Sequence, residues 1–144
     1  MDMTMSNTEL YPRVRPSSPL IAPRGLRQVL IRDFVLPARI GAYPHERNAP
    51  QRVRINLTLF VYEEAEPIDD DLHRVVCYDR IIQEVRGIIQ EGHVNLVETL
   101  AERIAGVCLV DVRVHSLRAR VEKLDIYDDV ASVGVEIERT SMGC

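Results

Sequence analysis

Lysine is almost missing from this chain: 17 of the 18 basic residues are arginine, and Lys123, within "RVEKLDIYDD" (120–129), stands alone. A surface charge would be served as well by arginine, so the lone lysine raises the question of what its amine offers that a guanidinium does not. Cysteine is scarce too. Cys77, Cys108 and Cys144 are odd in number, far apart and free of CxxC spacing, which excludes a disulfide framework or zinc knuckle and suits a reducing cytoplasm. His45, His73, His93 and His115 are 20 or more residues apart and make no HxH or HExxH, so no metal site is expected. GxGxxG, P-loop and GxSxG motifs are lacking, which removes nucleotide-cradling and serine-hydrolase readings. No apolar run approaches the roughly 20 residues of a membrane helix, and no basic-then-apolar signal peptide opens the chain. A formal charge of −4 argues against a nucleic-acid partner, which would normally call for a basic face.

What is present describes one globular domain. The 144 residues are 46% hydrophobic and 28% charged, enough for a real core. Residues 1–26, with four prolines and no periodicity, read as a flexible leader; the folded domain is expected over 27–140 and a short tail over 141–144. "RQVLIRDFVL" (27–36) opens a β-rich run ending at Pro37, and a loop follows. In "RVRINLTLFVY" (52–62), Val53, Ile55, Leu57, Leu59 and Val61 alternate with polar residues, the signature of a half-buried strand. After the acidic turn "EEAEPIDDD", Ile81, Ile82, Val85, Ile88 and Ile89 recur at helical spacing up to Gly92. A second helix is predicted over 95–109, with Asn95 and Glu98 spaced as a capping box. "RVHSLRARVEK" and "ASVGVEIER" alternate again, joined through Asp125 to Asp129. The order is ββααββ, an α+β fold. Two helices cover only one face of such a sheet and leave both edges unpaired, which predicts a homo-oligomer.

Counting back by two from Lys123 meets Val121, Ala119 and Leu117, so the lysine extends an apolar row. Desolvation there would lower its pKa from about 10.4 towards neutrality; a snorkelling stem with its amine in water is the other reading. Glu46 is either a solvated loop charge or a carboxylate facing a cleft. Tyr78, ahead of the first helix, is either half-buried packing or a proton relay. Glu98 is either a cap partner or a ligand for substrate.

"IGAYPHERNAPQRVRINLTL", "VCYDRIIQEV", "VNLVETLAERIA" and "VEKLDIYDDVASVGVEIER", in this order, resemble the dihydroneopterin aldolase family of folate biosynthesis across residues 27–140. The resemblance implies the tunnelling fold, in which the antiparallel sheets of several ββααββ subunits close into a barrel, as a tetramer or octamer with active sites between subunits. It implies that Glu98, with the backbone of Val97, binds a pterin, that Lys123 is the catalytic acid/base, that Tyr78 assists proton transfer, and that Glu46 orients water or the lysine. The implied reaction cuts 7,8-dihydroneopterin into 6-hydroxymethyl-7,8-dihydropterin and glycolaldehyde, with epimerisation to dihydromonapterin as a reversible side reaction. The ring C=N accepts the electrons, so no cofactor, Schiff base or metal is needed. Rival readings are an epimerase acting on dihydroneopterin triphosphate and a non-catalytic pterin-binding protein of the same fold. Members of the family often carry proline after the lysine, where this chain has Leu124, and the "DIYDD" loop is also unusual.

Overall fold

The computed structural model describes residues 25–141; nearly all of the expected leader, and the expected tail beyond Ser141, lie outside the described residues. Strands β1 (Leu26–Ala38), β2 (Gln51–Tyr62), β3 (Val114–Lys123) and β4 (Val133–Thr140) pair antiparallel in the order β1-β2-β3-β4. Helices α1 (Tyr78–Gln90) and α2 (Val97–Cys108) lie between β2 and β3 in sequence. The fold is the α+β arrangement the alternating and helical periodicities predict. β1 runs through Pro37, because proline is tolerated on an edge strand where a central one would lose a ladder bond.

The alternation in β2 decides the layering. Val53, Ile55, Leu57, Leu59 and Val61 are all buried, as are Leu117, Ala119 and Val121 on β3, and against them pack Ile81, Val85, Leu100, Ile104 and Ala105 of the helices. The opposite face carries cross-strand ion pairs, Arg54–Glu122 at 3.0 Å, Arg118–Glu138 at 2.9 Å and Arg120–Glu136 at 2.9 Å. Its arginines therefore neutralise neighbouring carboxylates directly across the ladder, the favourable pairing for adjacent strands.

Helix α1 stops before Gly92, whose φ of +140° ends the helical path. The start of α2 differs from the expected capping box. Leu96 is its N-cap and no side chain caps it; the Asn95 oxygen instead accepts a 2.7 Å bond from Arg47. A long-range partner thus took the asparagine that local spacing assigned to the helix.

Candidate active site

Glu46 lies in a short 3-10 turn, Pro44–Arg47, between β1 and β2, and is 5% exposed. It is the buried charged residue of the described core, so the reading as a solvated loop charge is overturned. The turn is pulled inwards by a short parallel bridge. Ile40 pairs with Val94, the Gly41 N–H donates to the Val94 carbonyl at 3.0 Å, and the Val94 N–H donates to the Arg39 carbonyl at 3.0 Å. His93 Nε2 donates to the Gly41 carbonyl at 2.7 Å. Gly41 has a φ of +137°, and any Cβ there would collide with the Glu46 side chain; glycine is required on both counts.

Lys123 reaches the same point from the last residue of β3. Its Nζ donates to Glu46 Oε2 at 2.7 Å, with the side chain 15% exposed. Its apolar row, Leu117, Ala119 and Val121, is buried as the count by two predicted. The amine is thus sheltered, and its proton points at a carboxylate rather than at bulk water. Gln51, the first residue of β2, donates to Glu46 Oε2 at 2.9 Å and to the Ile40 carbonyl at 2.7 Å, and the Tyr43 N–H donates to Glu46 Oε1 at 3.3 Å. Burial by itself pushes the Glu46 carboxyl up. The bonds from Lys123, Gln51 and Tyr43, with the lysine's charge, outweigh it and hold the group at about 2, below its ordinary 4.5. At neutral pH Glu46 is therefore a carboxylate, able only to accept.

The pair is what a single chain brings together. Tyr78, at the start of α1, is 63% exposed, and Glu98, in the first turn of α2, is exposed as well. Among the described residues no hydrogen bond joins either side chain to the Lys123–Glu46 pair. Val97, half-buried, is the first residue of α2, where backbone N–H groups have no acceptor within the helix. Gln51 and Gly41 are supporting residues that the sequence pattern does not reveal. Gln51 sits at a strand end without periodic signal, and its role depends on a loop folded by distant contacts. Cys108 is a packing residue, since burial raises its thiol to about 12. Among the described residues no three His, Cys, Asp or Glu side chains cluster as a metal site would need, and no helix is long and apolar enough to cross a membrane.

The same chain is similar to proteins already known. A family model described as dihydroneopterin aldolase matches residues 29–138. Dihydroneopterin aldolase of Streptomyces coelicolor is 35% identical over 108 residues, covering 72% of this chain and 91% of the relative. The Bacillus subtilis enzyme of the same name is 33% identical over 102 residues, covering 69% and 85%. Among solved structures, dihydroneopterin aldolase of Burkholderia thailendensis bound to guanine superposes with a TM-score of 0.72 at 37% identity, over 81% of this chain and 92% of that one.

Proposed function

The chain belongs to the dihydroneopterin aldolase family, and we propose that Lys123, held by Glu46, carries out its reaction. The protein is an aldehyde lyase that cleaves 7,8-dihydroneopterin into 6-hydroxymethyl-7,8-dihydropterin and glycolaldehyde. The observation that carries the assignment is the sheltered 2.7 Å contact between the chain's one lysine and a buried carboxylate.

The chemistry follows from that pair. Removal of the proton on the 2′-hydroxyl lets its oxygen form the C=O of glycolaldehyde as the C1′–C2′ bond breaks. The released electron pair moves onto C1′ and into the ring C=N, and protonation at C1′ then gives the hydroxymethyl group. One proton leaves and one returns, a cycle for a single acid/base group. Lys123 fills that part. Glu46, fixed as a carboxylate, aims the amine and takes no proton itself. Recombination of the fragments with the opposite face at C2′ gives dihydromonapterin.

Glu98 and the Val97 backbone hold the pterin in this reading, and Tyr78 assists the proton transfer. Their exposure in one chain, together with the outer edges of β1 and β4, beside which no further strand lies among the described residues, supports a homo-oligomer, tetramer or octamer, with sites completed between subunits. The scattered cysteines favour the cytoplasm.

Incubation with 7,8-dihydroneopterin without added metal, followed by chromatography, should yield 6-hydroxymethyl-7,8-dihydropterin and glycolaldehyde in equal amounts. Epimer without glycolaldehyde would point to an epimerase, and unchanged substrate to a binding protein. Lys123→Arg should keep the fold but lose roughly 10²-fold or more in kcat, the range that positioned general acid/base catalysis supplies; near-normal turnover would overturn the role given to Lys123.

A further inference from the structure

We propose that Asp125 is a positioning residue for Lys123: its carboxylate occupies the acceptor place in the β2–β3 ladder directly beyond the lysine and fixes where β3 leaves the sheet. The inference rests on Lys123 being the acid/base group.

The ladder shows the substitution of parts. Val53 lies opposite Lys123, and the next pair along would be Arg52 with Leu124. In an antiparallel sheet such a pair alternates between exchanging both N–H···O bonds and exchanging neither. Here half of the exchange is made: the Leu124 N–H donates to the Arg52 carbonyl at 3.0 Å. The Arg52 N–H does not go to Leu124. It donates to Asp125 Oδ2 at 2.9 Å, while the Arg52 guanidinium closes on Asp125 Oδ1 from Nη2 at 2.8 Å and from Nε at 3.1 Å. A side chain therefore supplies the final acceptor of the strand that carries the reactive amine.

This matters because the chain turns away immediately after the lysine. Residues 124–132 form no strand or helix before β4 begins at Val133. The far end of that loop is tied down too, with Ser132 Oγ donating to Glu122 Oε2 at 2.6 Å, and Glu122 in turn held by Arg54 at 3.0 Å. Glu122 and Asp125 flank Lys123, so two clasps brace the backbone that aims Nζ at Glu46. Proline after the lysine would stiffen the chain through its ring; Leu124 offers no such constraint, and the Asp125 clasp does that work. As a surface ion pair Arg52–Asp125 would be worth little, since both side chains are well exposed. Its value lies in the backbone bond.

The test compares Asp125→Ala with Asp125→Asn, because asparagine keeps an oxygen for the Arg52 N–H while giving up the charge. With 7,8-dihydroneopterin as substrate, D125A should lose about 10-fold or more in kcat while KM stays within about twofold, since misplacement acts on the reacting geometry. D125N should recover to within about threefold of wild type, and both should melt near the wild-type temperature. The inference is overturned if D125A turns over normally, if D125N is as slow as D125A, or if the loss in kcat comes with a matching rise in KM and fall in melting temperature. Lys123→Arg separates the two levels. Fast K123R refutes the lysine's role itself, whereas slow K123R with fast D125A refutes only the part given to Asp125.

Discussion

Glu46 shows why a charged residue inside a small domain cannot be judged from its own neighbourhood in sequence. Its segment, "AYPHERNAPQ", carries proline, histidine and arginine and reads as a wet loop, yet the carboxylate is buried because Lys123, 77 residues away, comes to meet it. That meeting has a measurable acid signature. The folded-state pKa of about 2 lies below the ordinary 4.5, so the unfolded chain takes up the proton first. The contribution is full above about pH 4.5 and is lost as pH falls towards 2, amounting to about 3 kcal/mol. Glu46→Gln should therefore be about 2–3 kcal/mol less stable at pH 7 and should lack most of the decline between pH 4.5 and 2. Urea midpoints from pH 7 down to pH 2, at fixed protein concentration, read both effects; an unchanged midpoint at pH 7 would show that the pair adds nothing to the fold.

At the scale of elements, the legible residues are those whose partners follow from periodicity. β2 alternates so regularly that its buried side follows from the residue order alone, and Leu57→Ala on that side should cost about 2–5 kcal/mol in unfolding free energy. The layout of the other strands and both helices is legible for the same reason, as is the apolar row leading to Lys123. Helix α2's start is not. Asn95 and Glu98 carry capping-box spacing, but spacing records what a side chain can do locally and is blind to Arg47, which arrives from another loop. Asn95→Ala should accordingly cost about 0.5 kcal/mol or less, against about 1 for a lost N-cap. A loss of 1 or more would mean that the asparagine caps α2 after all. Gln51, Gly41 and Asp125 escape a reading of the sequence on similar grounds, since each acts through a group brought close by tertiary folding.

For the whole molecule, the site and the sheet edges raise one and the same demand. The Lys123–Glu46 pair is complete within a chain, but the residues proposed to hold the pterin and to assist the proton transfer, Glu98 and Tyr78, stand exposed and unconnected to it. Among the described residues no further strand lies beside β1 or β4, and the face of the sheet away from the helices carries cross-strand ion pairs. Joining β4 of one copy to β1 of the next would satisfy the edges and bring a second chain's surface against the first. Activity should then belong to the assembly. Light scattering should give a mass several times the 16.4 kDa of one chain, and on serial dilution the specific activity should fall over the same concentration range in which that mass falls, because a protomer released from the proposed assembly would keep its lysine but lose the part of the site expected from its neighbour. A protein that scatters as a single chain while cleaving 7,8-dihydroneopterin at full rate would place the whole site within one subunit and remove the reason for the ring.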